Sequence, residues 1–276
     1  MTIRPDSKDL NAEVRALPWY HTIELAPGLW SPGFFDHRTT LRRVPLPASL
    51  AGKRCLDVGT HDGLWAFEME ARGAAEVVAI DLDDPFRRDW PSNVREVGPK
   101  QLVDWGWKPG LAFAVAHRAR SSKVDRRDLS VYDLNPADLG EFDVVFVGSL
   151  LLHLRDPIRA LEAVRSVTRE TLVMAEAIDP RMEFKAGSTP AARIDGIGLD
   201  QQWWTPNRAA LARMASSAGF AVRELTKPYV VRFGESGWTR RGRLKHRLRN
   251  LAVANDPAFG VVHAALRAEP APPRSA

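Results

Sequence analysis

Lys53 to Asp83 reads KRCLDVGTHDGLWAFEMEARGAAEVVAIDLD, and its reading decides the fold. Cys55, Leu56 and Val58 form a short β-compatible apolar run that stops at the turn Gly59-Thr60-His61-Asp62-Gly63. Leu64 to Arg72 has helical spacing, with Leu64, Phe67 and Ala71 on one face, and Gly73 supplies the left-handed stop. The strand Glu76 to Ile80 then delivers Asp81, Leu82 and Asp83 to its carboxyl end. Open α/β sheets bind ligands at such ends, where an acid takes ribose hydroxyls. The stretch is half of a nucleotide site.

A dinucleotide fingerprint places a glycine where this turn carries His61, so that the backbone can approach a pyrophosphate. An imidazole there crowds a pyrophosphate, and Asp57 repels one while attracting a cation. A sulfonium nucleoside suits that polarity better, which makes S-adenosylmethionine the expected cofactor. The turn resembles motif I of the class I methyltransferases, D-x-G-x-G-x-G, kept here as Asp57, Gly59 and Gly63. Gly59, Thr60, His61, Gly63 and Asp57 are the expected cofactor contacts from this turn, joined by Asp81 and Leu82.

The 276 residues are 45% hydrophobic, enough for a large core as one domain with additions or two small ones. No apolar run approaches the ~20 residues that span a bilayer, and MTIRPDSKDLNAEV has no signal-peptide apolar core. A cytoplasmic protein with no membrane partner is expected. The single cysteine, Cys55, lies inside the first core strand and reads as packing. Net charge is +5 with a pI near 9.6, and much of the excess is local.

Residues 1–48 read as a lead-in and an aromatic lid. The segment WYHTIELAPGLWSPGFFDHRTT, residues 19–40, is too irregular for a strand and too apolar for a linker. It either caps the sheet edge or excludes water from the cofactor and touches the acceptor through Tyr20, His21, Asp36, His37 or Arg38. The core follows as residues 49–268, with an acceptor loop at 179–206, a basic insertion at 236–259 and a disordered tail at 269–276.

Asp84 to Trp107 has poor periodicity. A helix is expected over Leu111 to Arg120, then a strand and turn over Lys123 to Leu134, where Ser130 and Val131 stand at the adenine position that the methyltransferase resemblance implies. Phe142 to Val147 is a continuous apolar run, as in a central parallel strand. Gly148 and Ser149 open its carboxyl edge, and His153 follows in a short turn. Ile158 to Thr168 has helical spacing, and Thr171 to Ala177 is the fifth strand, with Glu176 and Asp179 at its end. Ala221 to Val231 is expected to pair antiparallel with Gly260 to Ala268. The fold expected is α/β, a Rossmann-like seven-stranded sheet, mostly parallel with one antiparallel strand.

Three blocks, SPGFFDHR, LDVGTHDGLWAFEMEARGA and FDVVFVGSLLLHLRDPIRAL, resemble the methyltransferase group that contains the tRNA wobble-uridine carboxymethyl transferase. A weaker likeness continues in QWWTPNRAALARMASSAGF. The tRNA enzyme's third block carries a tyrosine that helps hold the extra carboxylate of its donor. The matching run here is Leu152-His153-Leu154-Arg155, and leucine cannot hydrogen-bond a carboxylate. The resemblance therefore implies plain S-adenosylmethionine and a transferred methyl group.

An alcohol or phenol acceptor must also lose a proton, a task suited to a histidine near neutrality. His153, just past a strand edge, is the expected catalytic base, although a histidine capping the backbone beside Pro157 reads equally well. Glu176, Asp179 and His37 are reserve bases, and no metal site is expected. Trp203 and Trp204 either stack on an acceptor ring or anchor the next helix. The cluster Arg240, Arg241, Arg243, Lys245, Arg247 and Arg249 reads as an RNA footprint, a solvated helix or a subunit contact in a homo-oligomer. Leu244, Leu248 and Leu251 on one stripe favour packing. The expected reaction is O-methylation of a small-molecule acceptor, with tRNA modification or cofactor binding without turnover as the rivals.

Overall fold

The computed structural model describes residues 7–104, 110–195, 202–236 and 260–272. Its main sheet has nine strands: β1 (Phe35–Asp36), β2 (Arg54–Val58), β3 (Glu76–Asp81), β4 (Asp125–Asp128), β5 (Phe142–Gly148), β6 (Thr168–Ala177), β7 (Phe220–Leu225), β8 (Tyr229–Phe233) and β9 (Gly260–Pro270). They lie in the order β1-β8-β9-β6-β5-β2-β3-β4, with β7 also paired to β9. The five strands from β6 to β4 are mutually parallel, and β9 runs antiparallel to β6, β7 and β8.

The expected strand over Ala221 to Val231 is two strands. Pro228, with no N–H to give to a ladder, sits between them. Thr226 carries the β7 pairing one residue further, its amide donating to the Ala265 carbonyl at 2.8 Å and its hydroxyl accepting from the Ala265 amide at 2.9 Å, and Tyr229 resumes the ladder opposite His263. Counted as one bent strand, β7 and β8 complete the expected seven-stranded sheet, and β1 adds an edge from the N-terminal segment. Strand β9 also takes in Glu269 and Pro270, which the sequence assigns to the tail.

Both faces of the parallel region are buried, which is why its strands read as unbroken apolar runs. Cys55, Val77, Ala79, Val144 and Phe146 face one core, closed by Trp65 and Phe67 of the helix Leu64–Ala71 and Phe113 of the helix Leu111–Arg120. Leu56, Val78, Ile80, Val145 and Met174 face the other, closed by Leu161 and Val164 of the helix Pro157–Val167 and Leu211 of the helix Arg208–Ser217. Truncating a side chain such as fully buried Phe146 to alanine costs ~3–5 kcal/mol at sites of this kind. Burial pushes the Cys55 thiol up to about 12, so it stays a packed, neutral group.

Two segments without clear periodicity hold helices, Val97–Asp104 and Pro180–Ala186. Asp179 starts the second by accepting from the Arg181 and Met182 amides, and Pro180 stands at its first position. The basic insertion from 237 onward and residues 196–201 of the acceptor loop lie outside the described residues.

Strand order reverses at β2, which has β3 on one side and β5 on the other. Ligands of open α/β sheets bind at the carboxyl ends beside such a switch. Among the described residues, no helix is long and apolar enough to cross a membrane.

Candidate active site

A cavity of about 330 Å³ opens at this switch point. Four strand ends build it: Val58 and Gly59 after β2, Ile80 to Leu82 after β3, Leu129 to Val131 after β4, and Gly148 to Leu150 after β5. His153 and Leu154 of the following turn, Trp90 and Leu102 of the 84–104 segment, and Tyr20 and His21 of the N-terminal segment complete the wall.

The turn after β2 is positioned from both sides. The Gly59 and Thr60 amides donate to the Ile80 carbonyl at 2.9 and 3.0 Å, so the turn is hung on β3. Asp81 accepts the His61 amide at 2.7 Å and the Leu82 amide at 2.7 Å, which fixes its carboxylate at the cavity wall. Gly59 has φ +78°, a left-handed conformation that glycine adopts without penalty. An added β-carbon there meets Leu150 at 3.3 Å. His61 holds φ +53° with a side chain, a conformation that costs roughly 1–2 kcal/mol outside glycine. Its ring stacks on Tyr20 at 4.5 Å between centroids, and burial lowers its pKa to about 4, so it is a neutral imidazole.

Of the expected cofactor residues, Gly59, His61, Asp81, Leu82, Ser130, Val131 and Gly148 line the cavity, whereas Asp57, Thr60 and Gly63 do not. Strand alternation turns Asp57 toward the same face as Cys55, under the turn, where it accepts the Ala66 amide at 3.0 Å and ties the helix to the strand. Burial raises Asp57 to about 7, against the pull of its hydrogen bonds. Thr60 is buried beside it. Gly63 serves close packing: a β-carbon there falls 2.4 Å from Phe67 and 2.8 Å from Phe113.

Of the expected acceptor contacts, only Tyr20 and His21 reach the lining. Asp36 pairs with Arg38 at 2.6 Å, which lowers its pKa. His37 is buried against Trp65 and His21, and burial, with its neighbours His21 and His263, holds its pKa well below the usual value. Asp179 caps its helix and pairs with Arg193 at 2.9 Å. Glu176 is buried beneath the cavity and accepts the Leu150 and Leu151 amides at 3.0 and 3.2 Å, so it shapes the turn that carries His153. Burial lifts its carboxyl to about 8. Trp203 and Trp204 brace that turn from outside, donating their indole N–H to the carbonyls of Asp89 at 2.8 Å and Leu154 at 2.9 Å.

Several wall residues carry little sequence signal. Asp89 joins the 84–104 segment to the far wall, accepting from the Tyr132 hydroxyl at 2.6 Å and the Arg155 amide at 2.9 Å. Ser149 lies 3.0 Å from Nε2 of His263, whose Nδ1 is 2.9 Å from the Val261 carbonyl. Asp62, fully buried, accepts the Tyr20 and His21 amides at 2.8 Å each and bonds the His21 ring. An acid inside a glycine turn is its sole trace in the sequence. Among the described residues, no three His, Cys, Asp or Glu side chains are grouped to hold a metal ion.

The residues present fit an adenosyl sulfonium donor. Asp81 offers a carboxylate at the end of β3, the kind of group that takes ribose hydroxyls, Leu82 and Val131 offer apolar wall, and Gly59 has no side chain to block close approach.

Residues 36–225 match the family model described as a methyltransferase domain. The chain is similar to a tRNA U34 carboxymethyltransferase of Ectopseudomonas mendocina, 28% identical over 180 residues that cover 65% of this chain and 48% of the relative. It is 30% identical over 192 residues to a ubiquinone biosynthesis O-methyltransferase of Thiobacillus denitrificans, covering 67% of this chain and 72% of the relative. The chain spans about half the length of the carboxymethyltransferases it matches. Among solved structures, the 4+2 cyclase SpnF shares the fold with a TM-score of 0.53 at 17% identity, over 96% of this chain and 92% of that one.

Proposed function

The chain belongs to the methyltransferase-domain family, as a class I S-adenosylmethionine-dependent methyltransferase, and we propose that it methylates a hydroxyl of a small molecule such as a sugar or secondary metabolite. One observation carries the reading. One cavity is lined both by an acid and apolar side chains suited to an adenosine, Asp81, Leu82 and Val131, and by the imidazoles of His21, His61 and His153.

Bound S-adenosylmethionine supplies a methyl carbon made electrophilic by its sulfonium. The chain's own part is to hold and orient. Asp81 takes ribose hydroxyls, Leu82 and Val131 flank the base with Ser130 beside them, and the Gly59 turn and Gly148 leave room for the methionine portion. The 19–40 segment acts as a lid: Tyr20, packed on His61, excludes water and narrows the acceptor end. Holding an acceptor oxygen in line with the methyl is worth ~7–11 kcal/mol. A wall histidine takes the acceptor's proton, adding typically ~10²–10⁴-fold. The sequence nominates His153.

Calorimetry with S-adenosylmethionine and S-adenosylhomocysteine tests the donor site, and absence of binding by either ends the enzyme reading. A labelled-methyl screen over hydroxylated metabolites tests the acceptor class. The likeness to tRNA carboxymethyltransferases supports a second reading, uridine modification in tRNA. The two readings separate by salt: tight tRNA binding at physiological ionic strength, weakening steeply as salt rises, marks phosphate contacts and displaces the small-molecule reading.

A further inference from the structure

We propose that the residue that takes the acceptor's proton is His21, with Asp62 as the positioning residue that aims it, a role resting on the methyltransferase reading above. The pair is assembled across the fold. His21 comes from the N-terminal segment, where its main chain bridges Phe35, and Asp62 comes from the turn after β2. One carboxylate oxygen of Asp62 bonds Nδ1 of the His21 ring, and the other accepts the Tyr20 and His21 amides at 2.8 Å each. Three bonds to a fully buried carboxylate leave the ring little freedom.

The Tyr20 and His21 amides both donate to the Asp62 carboxylate, and such bonds favour its ionised form. An ionised Asp62 can accept from Nδ1 only when that nitrogen carries the proton, and in a neutral ring that arrangement puts the lone pair on Nε2. Among the groups facing the ring, His37 lies 5.4 Å and His61 6.1 Å away between centroids, both held neutral by burial, and Tyr20 meets it edge-on at 4.8 Å. His21 is one of the residues lining the cavity proposed to take the donor. This is the carboxylate–imidazole arrangement that makes a histidine an oriented base.

The step balances. The acceptor's O–H proton passes to Nε2 of His21, and the oxygen uses the electron pair left behind to bond the methyl carbon. The methyl–sulfur bond breaks with its pair staying on sulfur, so the donor's product is S-adenosylhomocysteine. Asp62 stabilises the imidazolium until its proton returns to water.

The test uses the full chain with S-adenosylhomocysteine and ¹⁵N-labelled histidine. The neutral His21 ring is expected to carry its proton on Nδ1, with that preference lost in Asp62→Asn. A proton on Nε2 in the wild type overturns the proposal. A second readout compares labelled-methyl transfer to phenol and to 4-nitrophenol at mildly alkaline pH, where the nitrophenol is already largely ionised. His21→Gln is expected to lower transfer to phenol by ~10²–10⁴-fold and transfer to the nitrophenolate by far less. Equal losses on both assign His21 a merely structural role and sink the idea. If Asp62→Asn fails to fold, the wild-type tautomer and the His21→Gln ratio still decide. Failure of the wild type to bind S-adenosylhomocysteine is a separate outcome, which removes the methyltransferase reading itself.

Discussion

The two ends of the cavity are built by different means. Where the adenosyl group is proposed to bind, each wall residue stands at the carboxyl end of its own strand, and Asp81 is fixed by amides from the adjacent turn and from its own neighbour Leu82. Where the acceptor is proposed to bind, the wall residues are held by partners from across the fold: Tyr20 and His21 by Asp62, and Ser149 by His263. The first construction follows from the sheet, so any chain with this strand order and an acid after β3 has it. The second depends on how the N-terminal segment meets the turn after β2. Burial raises the Glu176 carboxyl, behind the Leu150 and Leu151 amides, to about 8, and no cation is among the causes of that shift.

The largest effect that sharpens this contrast is a pH dependence. Folding lifts the Glu176 carboxyl from 4.5 to about 8, so between those values the folded chain keeps a proton the unfolded chain has released. Stability therefore falls as pH rises through that window and levels off above it. Each pKa unit is worth about 1.4 kcal/mol, giving a span on the order of 3–5 kcal/mol. Glu176→Gln keeps an oxygen for the Leu150 and Leu151 amides and removes the titration. Asp57 titrates in the same sense, so the quantity to measure is the difference between wild type and variant in denaturant unfolding across pH. A difference that does not change with pH means Glu176 ionises as freely in the folded chain as in the unfolded one, and burial does not hold its proton.

Next in size is the donor end. Asp81→Ala removes the ribose partner and leaves the His61 and Leu82 amides without their acceptor. With hydrogen bonds to a charged group worth ~1.5–3 kcal/mol each, affinity for S-adenosylhomocysteine is expected to fall ~100-fold or more. Calorimetry reads this directly. Unchanged affinity would falsify the placement of the adenosyl group at that strand end.

The same division explains what the sequence reveals. The strand–turn–helix–strand of residues 53–83 is legible because each signal is local: a β run, a glycine turn, helical spacing, an acid at a strand end. Gly59, Asp81 and Leu82 follow from it, Gly148 follows from the apolar run of β5 and Val131 from the methyltransferase resemblance, and all five line the cavity. Asp57 and Gly63 carry the family pattern yet serve the scaffold, since alternation hides Asp57 under the turn and packing on Phe67 fixes Gly63. Asp62 is illegible for the opposite reason. Its partners lie about forty positions earlier in the chain, and no period or spacing links residue 62 to residue 21. The helix Pro180–Ala186 escapes notice because it is short and its largest apolar side chain, Phe184, is exposed, so it has no apolar stripe to detect.

The smallest prediction asks whether the outer wall belongs to the acceptor at all. The Trp203 amide donates to the Leu152 carbonyl at 2.7 Å and its indole N–H to the Asp89 carbonyl at 2.8 Å, while Trp204 holds the Leu154 carbonyl. These bonds draw the turn carrying His153 against the 84–104 segment and account for both indoles without an acceptor. Trp203→Phe keeps an aromatic face and loses the N–H bond to Asp89. A bracing role predicts a loss of about 1 kcal/mol in unfolding free energy, with acceptor affinity changed less than twofold in a variant that is fully folded at the assay temperature. Trp203→Leu then separates face from donor: it removes the ring as well, and a stacking role predicts a drop of ~1 kcal/mol or more in acceptor binding that Trp203→Phe does not show. If that drop appears, the acceptor end extends past His153 to the tryptophan pair. If both variants lose stability alone, the acceptor end stops at the lid and the histidines.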